Sequence, residues 1–206
     1  MAIYAENTST TFTPMPAGAY AARCYSMIQI GTVTENILGE EKTLHKVRLT
    51  FEFPTELKVF KEENGEQPYV ISKEFTLSMH EKASLRKFLE SWRGKAFTEE
   101  QAKKFDITAL LGIQCMINVI HKIAKNGNTY AEIASISPLP KGMMCPEPIN
   151  KQLVLSYDAF DMTVFDSLPD YIKDKMRTSK EFKALSNPNH IDTPSAPQTD
   201  EDDLPF

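Results

Sequence analysis

Long apolar runs are missing from this sequence. No stretch of its 206 residues approaches the roughly 18 consecutive apolar positions that a membrane-spanning helix requires, which excludes one. The first residues, MAIYAENTSTTFTP, lack the basic start and apolar stretch of a secretory signal, so the chain is expected to stay in the cytoplasm. Cysteine is scarce as well. Cys24, Cys115 and Cys145 are odd in number and far apart, with no Cys-x-x-Cys pair and no histidine at metal-site spacing, which argues against disulfides and structural zinc. Cys24 and Cys115 fall in strand-like runs and read as small buried hydrophobes.

Reactive constellations are also absent. His45, His80, His121 and His190 are scattered, and no Gly-x-Ser-x-Gly elbow, Walker-type loop, dinucleotide fingerprint or His-Glu-x-x-His occurs. Glu40-Glu41 and Glu62-Glu63 lie in loop-like stretches and read as solvated acidic turns. His121 reads as a hydrogen-bonded core histidine. The chain is therefore expected not to be an enzyme and to hold no cofactor and no metal. A strongly basic composition is missing too, since the net charge is −5. Asp192, Asp200, Glu201, Asp202 and Asp203 account for all of it within residues 187–206, which contain no Lys or Arg. The body is neutral, and any polyanion binding must come from a local patch.

What the sequence does contain is strand patterning followed by helical pieces. Residues 1–13 are polar and aperiodic and read as a flexible arm. Gly18 to Ile30 reads as a strand with Tyr20, Ala22, Cys24, Ile28 and Ile30 on one face and Arg23, Tyr25, Met27 and Gln29 on the other, ended by Gly31. Val47, Leu49, Phe51 and Phe53 alternate with Lys46, Arg48, Thr50 and Glu52 in the clearest strand of the chain, stopped by Pro54. Leu57 to Phe60 extends that pairing, and Tyr69 to Leu77 forms a third strand. Ser78 and Glu81 have capping-box spacing, and Leu85, Phe88, Leu89 and Trp92 recur at helical intervals before Gly94. Thr98 with Gln101, and then Asp106, mark two further helical turns. Ile113 to Ile123 and Thr129 to Ile136 are strands joined by Lys125-Asn126-Gly127-Asn128, a strong hairpin signal.

Three strands, a helical insert and two strands over residues 14–140 match the order of an OB-fold, a five-stranded Greek-key barrel. The expected fold is therefore mainly β. A proline-containing connector and short amphipathic helical pieces follow over 141–186. Phe160, Val164, Phe165, Leu168, Tyr171, Ile172, Met176, Phe182 and Leu185 are too apolar for a free linker, so this segment is expected to dock on the barrel or on another subunit. Residues 187–206 read as a disordered acidic tail with an apolar tip.

A face that binds single-stranded nucleic acid needs cations along the phosphates and aromatic planes for the bases. Arg23 and Tyr25 on the first strand, Lys46 and Arg48 on the second and Lys73 on the third supply these on the outward face. Lys122, Lys125 and Tyr130 surround the hairpin between the fourth and fifth strands. These eight residues are the candidate DNA-binding set.

The C-terminus Asp200-Glu201-Asp202-Asp203-Leu204-Pro205-Phe206 resembles the acidic tip of bacterial and phage single-stranded DNA-binding proteins, which end in several Asp residues, an apolar residue, Pro and Phe. The resemblance covers these seven residues, the linker before them and, more loosely, the strand order of 14–140. SLRKFLESWRGKAFTEEQ and the helical segment 153–185 depart from the short bacterial domain and bring the chain closer to the phage variety. The resemblance implies a non-enzymatic protein of a phage-infected bacterial cell that coats single strands in DNA replication, recombination or repair. It also implies that residues 200–206 recruit partner enzymes, without membrane association, and it leaves a homo-oligomer open. Two rivals stand beside it: an adaptor that docks on replication enzymes through the same tail without binding DNA, and a phage single-strand annealing protein.

Overall fold

The computed structural model describes residues 13–186. The arm expected over 1–13, apart from Thr13, and the whole tail 187–206 lie outside the described residues. Five strands, β1 (Gly18–Ile37), β2 (Glu40–Val59), β3 (Glu66–Thr76), β4 (Gln114–Ile123) and β5 (Thr129–Ser137), pair antiparallel in the order β3-β2-β1-β4-β5. A short sixth strand, β6 (Leu153–Leu155), adds to β1 in parallel. Helices α1 (Ser84–Arg93) and α2 (Glu99–Lys103) lie between β3 and β4, and α3 (Met162–Ser167), α4 (Asp170–Arg177) and α5 (Lys180–Ser186) follow β6. Among the described residues no helix is long and apolar enough to cross a membrane.

The alternation of β2 does what the sequence pattern requires. Val47, Leu49, Phe51 and Phe53 are buried in one core with Ala22 and Cys24 of β1 and Leu85, Leu89 and Trp92 of α1. Phe51 meets Trp92 edge-on at 5.2 Å between ring centroids, and Phe75 meets Phe88 at 4.8 Å. A second core on the opposite side joins Ile28, Ile30 and Val33 of β1 to Leu155, Phe165, Leu168, Ile172 and Met176. The segment 153–186 thus docks on its own chain's sheet.

Several boundaries differ from the sequence expectation. β1 does not keep one alternation, because the ladder to β2 shifts register between Cys24 and Ser26 and again between Gln29 and Gly31. Each bulge inserts one unpaired residue and exchanges the faces beyond it. Met27 therefore joins the first core, whereas Ile28 and Ile30 enter the second. Gly31 does not end the strand. With φ +94° it sits where an added Cβ would lie 2.7 Å from the Ser179 Cβ, so glycine lets the helical segment approach the backbone. Pro54 lies within β2, at the irregularity between Phe53 and Leu57 where β3 requires no N–H from it. Helix α1 starts at Ser84 after Ala83, which provides no side-chain cap, so Ser78 and Glu81 do not form its capping box. The Thr98–Gln101 capping box and the Asp106 cap are both present.

The expected closed barrel is not what the ladders form. Among the described residues β3 and β5 share no hydrogen-bonded ladder, and the sheet is open. Helix α1 packs against both of these edges, and its Ser91 hydroxyl donates to the Ile136 carbonyl. Its bulky apolar face fills the gap, and a side chain, Lys73, donates across to the Ile133 carbonyl at 2.9 Å.

Candidate nucleic-acid interface

β2 and β4 both run antiparallel to β1, so both finish at the end of the sheet where β1 begins. The β2–β3 and β4–β5 hairpin tips therefore share one end. The β1–β2 turn at Leu38–Gly39 and the connection carrying α1 and α2 occupy the other end.

The outward strand face does not present the cations that the sequence assigned to it, because the chain itself covers or neutralises them. Arg23 donates to three carbonyls of the loop before β4 and of the connector, those of Gly112, Cys145 and Pro146, at 3.1, 3.0 and 2.8 Å. It is a clamp for those segments. Opposite it, Glu52 is fully buried, and one carboxylate oxygen accepts from the backbone N and Nδ2 of Asn150, each at 2.8 Å. Tyr25 is half-buried, and burial, with the Glu52 carboxylate next in effect, pushes its phenol above the usual pKa. Helix α4 lies over Lys46 and Arg48. Lys46 pairs with Glu35 at 2.8 Å, and Arg48 pairs with Glu74 at 3.1 Å, donates to the Tyr171 hydroxyl at 2.9 Å and stacks over the Tyr171 ring. Lys175 of α4 joins the two glutamates, at 2.6 Å from Glu35 and 2.7 Å from Glu74. Burial works against the charged form of Glu35, but Lys175 and Lys46 outweigh it and hold its carboxyl below the ordinary value. Lys73 shares the core side of β3 with Ile71 and Phe75, since it is two residues from each, and so does not lie on the outward face.

The β4–β5 hairpin is more open, although Lys122 pairs with Glu132 at 2.8 Å. Lys122 and Tyr130 are directly opposite each other across the ladder, Lys125 is exposed in the turn, and Tyr130 and Lys122 keep 39% and 49% of their surface exposed. Gly127, at φ +84°, supplies the turn's left-handed residue, while Asn126 accepts from the Asn128 N–H through its side chain. His121, beside them, donates from Nε2 to the Met15 carbonyl at 2.8 Å. The lysine–tyrosine group at the hairpin is thus the portion of the eight-residue set that the structure leaves accessible.

A second group was not singled out from the sequence. On the β2–β3 hairpin the Lys58 ammonium lies 5.8 Å from the Phe60 ring and 5.9 Å from the Tyr69 ring, and those rings meet edge-on at 5.2 Å. Phe60 is exposed. The signal for it was the Leu57–Phe60 run continuing past a proline, which places an aromatic beyond the end of the core.

A cavity of about 790 Å³ lies at the opposite end, between α1, α2 and β6, over Met27, Val47 and Leu85. Its charged lining comprises Arg86, Lys103 and Lys104 against Glu81, Glu99, Asp106 and Asp158, with His80 beside them. Carboxylates outnumber cations there, so it is no site for a polyanion. Among the described residues no group of three or more His, Cys, Asp and Glu side chains is arranged to hold a metal ion. The tip residues Asp200, Glu201, Asp202, Asp203, Leu204, Pro205 and Phe206 lie outside the described residues. No family model matches this chain, and no curated protein and no solved structure matches it either.

Proposed function

We propose that this chain is a non-enzymatic single-stranded DNA-binding protein of phage type, built on an open OB-like sheet, that recruits replication, recombination or repair enzymes through residues 200–206. The observation that carries the reading is the pairing of aromatics with lysines on two hairpins at one end of the sheet: exposed Phe60 and half-buried Tyr69 with Lys58, and exposed Tyr130 with Lys122 and Lys125. Bases stack on such rings without regard to sequence, and the ammonium groups meet the phosphates. Duplex DNA, whose bases are already stacked on one another, offers those rings nothing. The strand order β3-β2-β1-β4-β5, with a helix between the third and fourth strands, supports the OB-like assignment.

Fluorescence anisotropy with labelled oligo-dT and with a duplex of equal length tests this. Tight, strongly salt-dependent binding of the single strand over the duplex is the expected result. No binding of oligo-dT at low salt overturns it. The adaptor reading, in which the tail docks on enzymes and the body binds no DNA, draws on a specific observation: Lys46 and Arg48 are already paired with Glu35 and Glu74. It predicts no binding in the same experiment.

A further inference from the structure

Glu132 lies where a phosphate of the bound strand would compete with it. It is two residues from Tyr130 on β5 and so shares its face, and Ile120, its ladder partner, is two residues from Lys122. Its carboxylate holds Lys122 at 2.8 Å, and Lys73 reaches it from β3 at 3.7 Å. A carboxylate with cations on two sides presents them with what a phosphate presents, two oxygens sharing a negative charge. Lys73 has a second attachment, the Ile133 carbonyl at 2.9 Å, whereas Lys122 has no other acceptor among the described residues. Lys122 is also the more exposed of the two.

We propose that Glu132 is an internal phosphate mimic that limits the affinity of the hairpin site: in the free protein it neutralises Lys122, and a bound strand takes Lys122 from it. This rests on the single-strand reading above and adds a residue that opposes binding. Each phosphate drawn to Lys122 must first replace the carboxylate and then remain close to its negative charge. Strand release is correspondingly easier, which suits a coating protein that other enzymes must displace. The pair is partly exposed, so the effect is modest in size and sensitive to salt.

The test compares the full chain with Glu132→Gln, which keeps the side-chain shape and removes the charge, using oligo-dT over a series of salt concentrations. Glu132→Gln is expected to bind about two- to fivefold tighter at low salt, the range expected for releasing an exposed ion pair. Its log affinity against log salt should steepen by up to about 0.7, one contact's worth of counterion release on a single strand, because in the unmodified chain the carboxylate freed from Lys122 takes up a cation and offsets that release. In the double variant Glu132→Gln with Lys122→Gln, both gains should vanish. A purely structural role, in which Glu132 ties β3 to β5 through Lys73, predicts a lower melting temperature and equal or weaker binding. That outcome, or an unchanged salt slope in Glu132→Gln while the unmodified chain binds normally, overturns the proposal. Failure of the unmodified chain to bind oligo-dT removes the single-strand reading itself, and this inference with it.

Discussion

The strand face of β1 to β3 and the hairpin end of the same sheet both carry Lys and Tyr, with Arg on the face alone, and the structure covers the face more than the hairpin end. On the face, Lys46, Arg48 and Lys175 are interleaved with Glu35 and Glu74, and the Arg23 guanidinium is taken up by backbone carbonyls. At the hairpin end Lys125 is exposed, Lys58 lies beside two aromatic rings, and Lys122 is opposed by the carboxylate of Glu132. A cation is thus open to a ligand only where the rest of the chain leaves it exposed, as Lys122 is at 49% against 13% for Lys46 and 17% for Arg48. The face is claimed because Ile28, Ile30 and Val33 create an apolar strip beside it, and the helices that bury this strip bring Tyr171 and Lys175 with them.

The comparison breaks most directly at the second core. Phe165→Ala removes a buried ring beneath α3 and should destabilise the fold by about 3–5 kcal/mol, the usual range for a core phenylalanine. Urea denaturation measures the loss, and hydrogen exchange should place it in α3 to α5. Protection that stays intact there would mean the extension is held by its ion pairs alone. Arg23→Ala comes next. It leaves three carbonyls short of a donor and should lower stability by about 2 kcal/mol while the salt dependence of DNA binding stays unchanged. A shallower salt slope with full stability would return Arg23 to the DNA interface.

Tyr130→Ala sharpens the other side of the contrast. It should cost about 1–3 kcal/mol of single-strand binding, the worth of one stacked base, with no change in thermal stability. Tyr25→Ala should leave binding untouched because that ring is half-buried near Tyr171. Smaller still, Lys125→Ala should reduce the salt slope by about 0.7, whereas Arg48→Ala should not change it. Equal slopes in the two variants would erase the distinction between face and hairpin.

The smallest effect at neutral pH concerns acid. Burial raises the carboxyl of Glu181, but its bonds from the N–H and hydroxyl of Thr32, 2.6 Å each, outweigh that and leave it below the ordinary 4.5. Glu35 is lowered likewise. A carboxyl lowered in the folded state contributes stability above its unfolded value and loses it as pH falls through the folded value. The extension, tied to the sheet by two such carboxyls where the hairpin end has Glu132, should therefore loosen more than the hairpin end in acid below the usual carboxylate range. Amide exchange followed during acid titration checks this, and an equal or greater loss of protection at the hairpin end would contradict it.

The succession of strands was legible in the sequence because Val47 to Phe53 of β2 alternate without a fault and Gly127 marks the β4–β5 turn, although the β4–β5 ladder itself shifts register between Asn118 and Val119. The face assignment in β1 was not. Its bulges after Cys24 and Gln29 leave no mark in composition, yet each moves every later side chain to the opposite side. Accessibility of the site residues was equally hidden, since whether Arg48 faces water or Tyr171 depends on a helix more than a hundred positions later.

By itself the sequence determined the five long strands, the insert between the third and fourth of them, the alternation of β2 and the concentration of negative charge in the last twenty residues, but not strand β6, which lies in a stretch that reads as helical. These depend on neighbours within a few positions, where periodicity and turn chemistry act directly. Only the tertiary structure decided that the sheet stays open with α1 across its edges, that β1 serves two cores, and which lysines remain for a ligand. Those outcomes depend on contacts between segments remote in sequence, where burial of apolar surface selects the partner and the charges beside it must follow.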